Sequence, residues 1–153
     1  MTRKELFEYI QKVDDPIKDY NKIISNLHYT HYFLMDSYKK VLETYDLTFA
    51  QSNVLGIIVF KYPKAASLEE IKEMVLEHGS DVSRTVVRLT EKGFIEKVTD
   101  SENKRKLAIK ATPKGLKTVE KMSKDPAFNK ITTTFKLPEA KSFVKFLKKL
   151  REV

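Results

Sequence analysis

Apolar residues recur every three or four positions along the first third of the chain, the spacing of a helix that buries one face. The longest run contains Ile17, Tyr20, Ile24, Leu27, His31, Leu34, Tyr38, Val41 and Tyr45. Its steps alternate between three and four residues, and His31 is the only clearly polar member. The pattern predicts a helix of about 30 residues, which is long for a lone globular element and favours packing along a partner subunit.

Capping signals predict shorter helices on both sides of this long one. Thr2, Thr48 and Ser67 each precede a Glu or Gln by three positions, as in a capping box, and each is followed by a helical apolar period. We therefore predict one helix at the start of the chain and two more that begin near residues 48 and 67. Asp15 as the N-cap and Pro16 as the first helical residue predict where the long helix begins.

The stretch from 80 to 93 predicts a helix with a distinctive outer face. Val82, Val86 and Leu89 form its inward side. The outward positions are Ser80, Asp81, Ser83, Arg84, Val87, Arg88 and Glu91. Short hydroxyls at a helix N-terminus suit phosphate contacts, and arginines one turn apart can reach guanine edges. An ordinary surface helix is the alternative, and this stretch alone does not decide between the two.

Period-two stretches at 94–98 and 107–111 flank the polar segment TDSENKRK (99–106) and predict a β-hairpin. Three short helices followed by a hairpin is the order of a winged helix-turn-helix. In that arrangement the third short helix enters the major groove and the hairpin, or wing, contacts the neighbouring backbone or minor groove. Further helices are expected from Thr112–Pro113 to just before Pro126 and from about Pro138, whereas the stretch between them has no clear pattern.

Charge and composition narrow the class of protein. The chain of 153 residues carries a formal net charge of +8, and nearly all of the excess lies after residue 95. A basic excess suits a polyanion such as nucleic acid but is weak evidence by itself. The chain has no cysteine, which excludes disulfides and thiolate chemistry. It shows neither a secretory signal nor an apolar run near the ~20 residues that span a bilayer, so we expect a cytoplasmic protein without membrane contact.

Enzymatic and metal chemistry find little support. The sequence has four glycines and no phosphate-binding loop, dinucleotide fingerprint, zinc-protease helix or nucleophile elbow. We therefore predict that the protein is not an enzyme and needs no cofactor. His28 and His31 have a spacing that can share a metal ion, but two histidines are an incomplete site and no third ligand can be named. We therefore predict no metal site.

The residues from 82 to 115 resemble the core of the MarR family of transcriptional regulators. The matching pieces occur in the family's order: RLTEKG (88–93), FIEK (94–97), NKR (103–105) and TPKG (112–115). LTFAQSNVL (47–55) is similar to the usual start of the family's second helix. No single piece is specific to the family, but the resemblance rests on several pieces that occur together in the family's order.

This resemblance implies a single domain, 1–153, that forms a triangular homodimer on a pseudo-palindromic DNA operator. The fold class is mainly α with a small β-hairpin wing. A winged helix-turn-helix lobe spans 46–111, and residues 1–45 with 112–153 supply the dimerisation helices, in agreement with the long seam and the apolar face at 143–150. Family members usually repress, and many release DNA when a small, often aromatic, ligand binds between the dimer helices and the lobe.

The resemblance also implies which side chains contact the ligands. By position, the DNA contacts would be Ser80, Asp81, Ser83, Arg84, Thr85, Val87 and Arg88 from the recognition helix, and Lys104, Arg105 and Lys106 from the wing. A candidate effector pocket would be lined by His31, Tyr32, Tyr38 and Phe49. Core and dimer packing is the more ordinary role of such aromatic residues.

A protein–protein module is the alternative function. A winged helix that no longer recognises DNA would explain why Asn103 replaces the family's usual wing aspartate. It would also explain an acidic helix that carries Glu69, Glu70, Glu73 and Glu77. Those glutamates are otherwise the solvated face of an ordinary helix.

Overall fold

The structure is a computed structural model that describes residues 2–12, 16–75, 81–99, 107–132 and 136–152. Its elements are α1 (Arg3–Lys12), α2 (Pro16–Glu43), α3 (Phe49–Lys61), α4 (Leu68–Met74), α5 (Val82–Glu91), β1 (Ile95–Thr99), β2 (Leu107–Ala111), α6 (Pro113–Lys124), α7 (Pro126–Thr132) and α8 (Leu137–Leu150). The predicted fold class is confirmed, with three short helices and a hairpin following the long helix.

Two capping boxes set the starts of α3 and α4 as the sequence predicts. The Gln51 amide donates to the Thr48 hydroxyl at 3.2 Å, and the Thr48 amide donates to the Gln51 side-chain oxygen at 3.0 Å. Ser67 and Glu70 repeat this exchange at 3.1 and 2.7 Å. Because the caps satisfy amide groups that have no partner inside the helix, they fix the residue at which each helix begins.

The apolar core lies in the winged-helix lobe, with α3 at its centre. Its buried members are Leu42, Leu47, Val54, Leu55, Ile58, Ala66, Ile71, Val82, Val86, Leu89, Phe94, Ile95, Ile109 and Ala111. Leu42, near the end of α2, is 1% exposed although it lies outside the predicted seam of that helix. The end of α2 therefore packs into the lobe, whereas Ile23, Ile24, Tyr32 and Phe33 earlier on α2 stay exposed.

The hairpin is antiparallel, with Ile95 opposite Ala111 and Thr99 opposite Leu107. Ala66, in the turn before α4, exchanges two backbone hydrogen bonds of 2.8 Å with Ile109 and so adds a one-residue bridge to β2. The sequence did not predict this bridge, because a single residue cannot show a strand period. It ties the start of α4 to the base of the wing.

The stretch between Pro126 and Pro138, which had no clear pattern in the sequence, contains a short helix. Residues Pro126–Thr132 form α7, and α8 begins at Leu137, one residue before the predicted Pro138. Within the described residues, α8 buries no side chain against the rest of the chain. Among the helices that the structure describes, none has both the length and the apolar character needed to cross a membrane.

Substituting alanine for each of two glycines, Gly115 and Gly56, is expected to change the free energy of unfolding in opposite directions. A Cβ on Gly115, at the start of α6, would lie 2.2 Å from the Phe94 carbonyl oxygen, whereas a Cβ on Gly56 in α3 would meet nothing within 4 Å. We expect Gly115→Ala to lower the free energy of unfolding by about 1–3 kcal/mol through overpacking. Gly56→Ala should raise it by about 0.5–1 kcal/mol, since alanine favours the helix. Urea unfolding at one protein concentration measures both, and shifts of the same sign would contradict the packing at Gly115.

A pH-dependent contact holds the end of α2 to the α6–α7 junction. The Tyr45 hydroxyl donates to Asp125 Oδ2 at 2.6 Å, and this hydrogen bond is the main cause that lowers the pKa of Asp125 and raises the pKa of Tyr45. Ionised Asp125 therefore stabilises the folded protein at pH values above its ordinary pKa, and this stabilisation is lost as the pH falls through the lowered pKa. The protonated Tyr45 hydroxyl stabilises the folded protein at pH values below its ordinary pKa, and this stabilisation is lost as the pH rises through the raised pKa.

Tyr45→Phe should therefore destabilise the protein most near neutral pH, and the difference from wild type should shrink on acidification. The pKa of Asp125 should move up towards its ordinary range. Urea midpoints between pH 2 and pH 7 and an NMR titration of the Asp125 carboxyl check this. Parallel stability curves with an unchanged Asp125 titration would contradict the contact.

Candidate nucleic-acid interface

Helix α5 is held in the lobe by one apolar face. Val82 and Val86 are 4% exposed and Leu89 is fully buried, so the inward side is the one that the sequence predicts. The opposite side carries Ser83, Arg84, Val87 and Arg88, all exposed. Because burial fixes the rotation of the helix about its own axis, these four side chains form one outward surface, here called the α5 outer face.

Asp81 organises the start of this surface. Its Oδ1 accepts a hydrogen bond of 2.9 Å from the Arg84 amide and thereby caps α5. Its Oδ2 lies 3.2 Å from Arg84 Nε, so the same carboxylate also holds the guanidinium. Such an exposed ion pair is worth at most about 1 kcal/mol. The guanidinium can therefore exchange it for a phosphate or a base edge at little cost.

The remaining positions of the helix differ in accessibility. Arg88 follows Arg84 by about one turn and is exposed, and Val87 between them is 45% exposed. Thr85 lies on the flank and is only half-buried. The α5 outer face thus combines two cations, one hydroxyl and one apolar contact, the mixture that suits base edges and thymine methyl groups.

A groove with a volume of about 430 Å³ runs beside the α5 outer face. It is lined by Ser67, Leu68, Glu69, Ser83, Val86, Val87, Lys97 and Ile109, which come from α4, α5 and the hairpin. Sequence analysis did not single out Lys97 as a contact residue. The signal was available, since Lys97 lies two residues after the buried Ile95 on β1, but its position beside α5 depends on how the hairpin packs.

The acidic residues of α4 have unequal surroundings, and Glu77, which was predicted to share their helix, lies outside the described residues. Glu70 pairs with Lys61 on α3, and the hydrogen bond from Lys61 is the main cause that lowers the pKa of Glu70. Glu73 is exposed, and Glu69 lies in the groove beside α5. One of these charges is thus neutralised within the lobe, and Glu69 faces the side on which Ser83 and Val87 lie.

The four candidate pocket residues, three on α2 and Phe49 at the start of α3, fall into two separate places. The Tyr38 ring lies 6.2 Å from Phe49 and 5.4 Å from Phe128, and these partly buried aromatic residues pack on the core. His31 and Tyr32 lie about two turns earlier on α2, are exposed, and have ring centroids 5.6 Å apart. The structure therefore brings Tyr38 and Phe49 together with Phe128 and leaves His31 and Tyr32 outside that cluster.

His28, the other candidate metal ligand, is exposed like His31. Across the part of the chain that the structure describes, no group of three or more His, Cys, Asp or Glu side chains is placed to hold a metal ion.

The remaining predicted DNA contacts lie outside the described residues. These are Ser80, before the start of α5, and Lys104, Arg105 and Lys106 in the wing. Their roles stay predictions.

Comparison with known proteins agrees with this geometry. Residues 54–115 match the family model of the winged helix DNA-binding domain. The DNA complex of MepR from Staphylococcus aureus superposes with a TM-score of 0.69 and 20% identity, over 82% of this chain and 93% of that one. A MarR-like transcription regulator from Bacillus cereus gives 0.71 and 16%, over 88% and 96%. Apo MarR from Escherichia coli gives 0.63 and 22%, over 81% and 93%.

No curated protein sequence matches the chain. The structural neighbours nevertheless extend beyond the residues matched by the family model, since each covers more than four-fifths of the chain. The resemblance that the motifs at 47–55 and 82–115 indicated is confirmed. Residues 54–115 are similar to the winged helix DNA-binding domain, and the chain has the fold of the MarR-family transcription regulators on which it superposes.

Proposed function

We propose that the protein is a sequence-specific DNA-binding transcriptional regulator that acts as a homodimer on a pseudo-palindromic operator. The observation that carries the proposal is the α5 outer face, on which Arg84 and Arg88 project from a helix anchored by buried Val82, Val86 and Leu89. A rigid helix with two arginines one turn apart can enter the major groove and offer bidentate contacts to guanine.

Several predicted contact residues take distinct roles in this proposal. Arg84, Arg88 and Val87 contact base edges. Ser83, together with Thr85 on the flank of the helix, contacts the DNA backbone. Asp81 carries a negative charge, so its part is to cap α5 and hold Arg84 rather than to meet phosphate. Ser80 would join the helix contacts, and Lys104, Arg105 and Lys106 would contact the neighbouring minor groove or backbone from the wing.

Exposed apolar side chains outside the lobe support the dimer. They are Leu6, Tyr9, Ile23, Ile24, Tyr32, Phe33, Leu137, Phe143, Val144, Phe146 and Leu150, with 43–68% of each exposed. They lie on α1, the first part of α2, and α8, which are the elements that the resemblance assigns to dimerisation. Apolar surface of this extent on a monomer marks an interaction site, and a second copy of the chain is the partner that we propose.

We further propose that binding represses transcription, as is usual in the family, and that a small aromatic ligand can release the DNA. The half-buried cluster of Tyr38, Phe49 and Phe128 supports a ligand site, because it lies where α2, α3 and α7 meet. His31 and Tyr32 would join it only if the ligand or the second subunit reaches along α2.

A binding assay with the protein's own upstream DNA tests the regulator. Arg84→Ala and Arg88→Ala should each lose about 1–3 kcal/mol of discrimination between the preferred site and a scrambled one. Arg105→Ala should weaken binding to both DNAs and reduce the log–log salt slope by about one unit.

Arg151→Ala is the charge-matched control, because Arg151 is an exposed arginine at the end of α8, outside the lobe. Equal losses on both DNAs for Arg84, Arg88 and Arg105 would refute the division between base and backbone contacts. A wild-type protein with only nonspecific affinity would refute the regulator and favour the winged-helix protein–protein module.

A further inference from the structure

The turn between α2 and α3 binds two separate parts of the molecule through adjacent residues. Tyr45 donates to Asp125 at the α6–α7 junction, 2.6 Å away. Asp46, the next residue, accepts from Lys92 at the C-terminal end of α5. The recognition helix and the C-terminal helices are therefore both tied to the same turn at the end of the long helix.

Lys92 is the centre of the contact with α5. Its Nζ donates to the Asp46 carbonyl oxygen at 2.6 Å, to Asp46 Oδ1 at 2.9 Å and to Gln51 Oε1 at 3.5 Å. A lysine ammonium has three donors, and here each meets an oxygen from the α2–α3 region. Gln51 is only 4% exposed and also accepts from the Thr48 amide, so its oxygen is fixed in place.

The backbone of Asp46 is shaped for this contact. Its φ is +56°, a left-handed conformation that aspartate adopts more readily than most residues. This conformation presents the carbonyl oxygen and the carboxylate of one residue to the same ammonium. Lys92 makes a second contact through its main chain, because the Lys114 ammonium on α6 donates to the Lys92 carbonyl oxygen at 2.6 Å.

We propose that Lys92 and Asp46 are positioning residues that set the angle of recognition helix α5 relative to long helix α2. The apolar core holds α5 by contacts that are not directional, whereas this polar contact has fixed geometry at one end of the helix. Arg84 lies eight residues from Lys92, about 12 Å along the helix. A tilt of about 10° at Lys92 would then move the Arg84 backbone by about 2 Å, enough to break a bidentate base contact.

The consequence for DNA rests on the proposed function. In a homodimer, the angle between α5 and α2 determines how far apart the two recognition helices lie, and an operator requires about one DNA turn, ~34 Å. The Lys92–Asp46 pair would therefore control discrimination between operator and nonspecific DNA more than it controls stability. The pair is partly exposed, and such pairs contribute little to the free energy of unfolding.

Lys92→Met removes the contact, whereas Asp46→Gly removes its carboxylate acceptor and keeps the carbonyl one, and the two variants change the charge in opposite directions. Asp46→Gly fits the positive φ and loses the carboxylate, and Lys92→Met keeps a long side chain and loses the ammonium. Charge alone predicts tighter DNA binding for the first and weaker binding for the second. Lys124→Met is the matched control, because Lys124 is an exposed lysine whose ion pair with Glu120 stays within α6.

The first measurement needs neither DNA nor a dimer. Since the chain has no cysteine, Thr30→Cys on α2 and Glu91→Cys on α5 allow two spin labels, with labelled protein diluted into unlabelled protein. We expect a narrow distance distribution in the otherwise unaltered chain and with Lys124→Met. Asp46→Gly and Lys92→Met should each broaden or shift the distribution, and Asp46→Asn, which retains an acceptor oxygen, should restore it. The same distribution in all backgrounds overturns the proposal.

The second measurement is the ratio of operator to nonspecific affinity. We expect both Asp46→Gly and Lys92→Met to lower this ratio by about tenfold or more, and the double variant to lose no more than either alone. A ratio that stays at the wild-type value in Asp46→Gly, with both DNAs bound more tightly as charge predicts, overturns the proposal. A wild-type protein without a preferred site defeats the regulator function instead, and the spin-label distances then still decide the role of the pair.

Discussion

Burial of Val82, Val86 and Leu89 is the interaction on which the rest of the account depends. Each such side chain contributes roughly 1.5–3 kcal/mol when it leaves water. Together they determine that Arg84, Val87 and Arg88 face outward. The candidate DNA-binding surface is thus the exposed face of α5, opposite the face that packs in the core. Which residues it presents therefore depends on which face of α5 is buried.

Burial does not set every degree of freedom of that helix. Apolar contacts fix which face turns inward but leave small tilts inexpensive, so polar contacts at the two ends matter. Asp81 caps the start and holds Arg84, and Lys92 joins the end to Asp46 in the turn that follows the long helix. The surface that meets DNA would accordingly be oriented by residues that need not touch it.

Local signals predicted most of the fold. The caps at Thr48 and Ser67 and the helical period of 82–89 depend on residues close by in the sequence, so the sequence alone predicts them. Contacts between distant residues were missed. The Ala66–Ile109 bridge and the Lys92–Asp46 pair join positions about 45 residues apart, and nothing local marks them. The α5 outer face was predicted because rotation about a helix axis is a local property, whereas the position of Glu69 and Lys97 beside it depends on packing.

The central claim is that the α5 outer faces of two subunits occupy successive major grooves of one operator. Methylation interference on the protein's own upstream DNA tests it most directly, since a methyl group on guanine N7 blocks major-groove contacts. We expect interference at guanines in two clusters about 10 base pairs apart, and loss of that pattern in Arg84→Ala or Arg88→Ala. Binding that no guanine methylation disturbs, with the same affinity for every sequence, would contradict it.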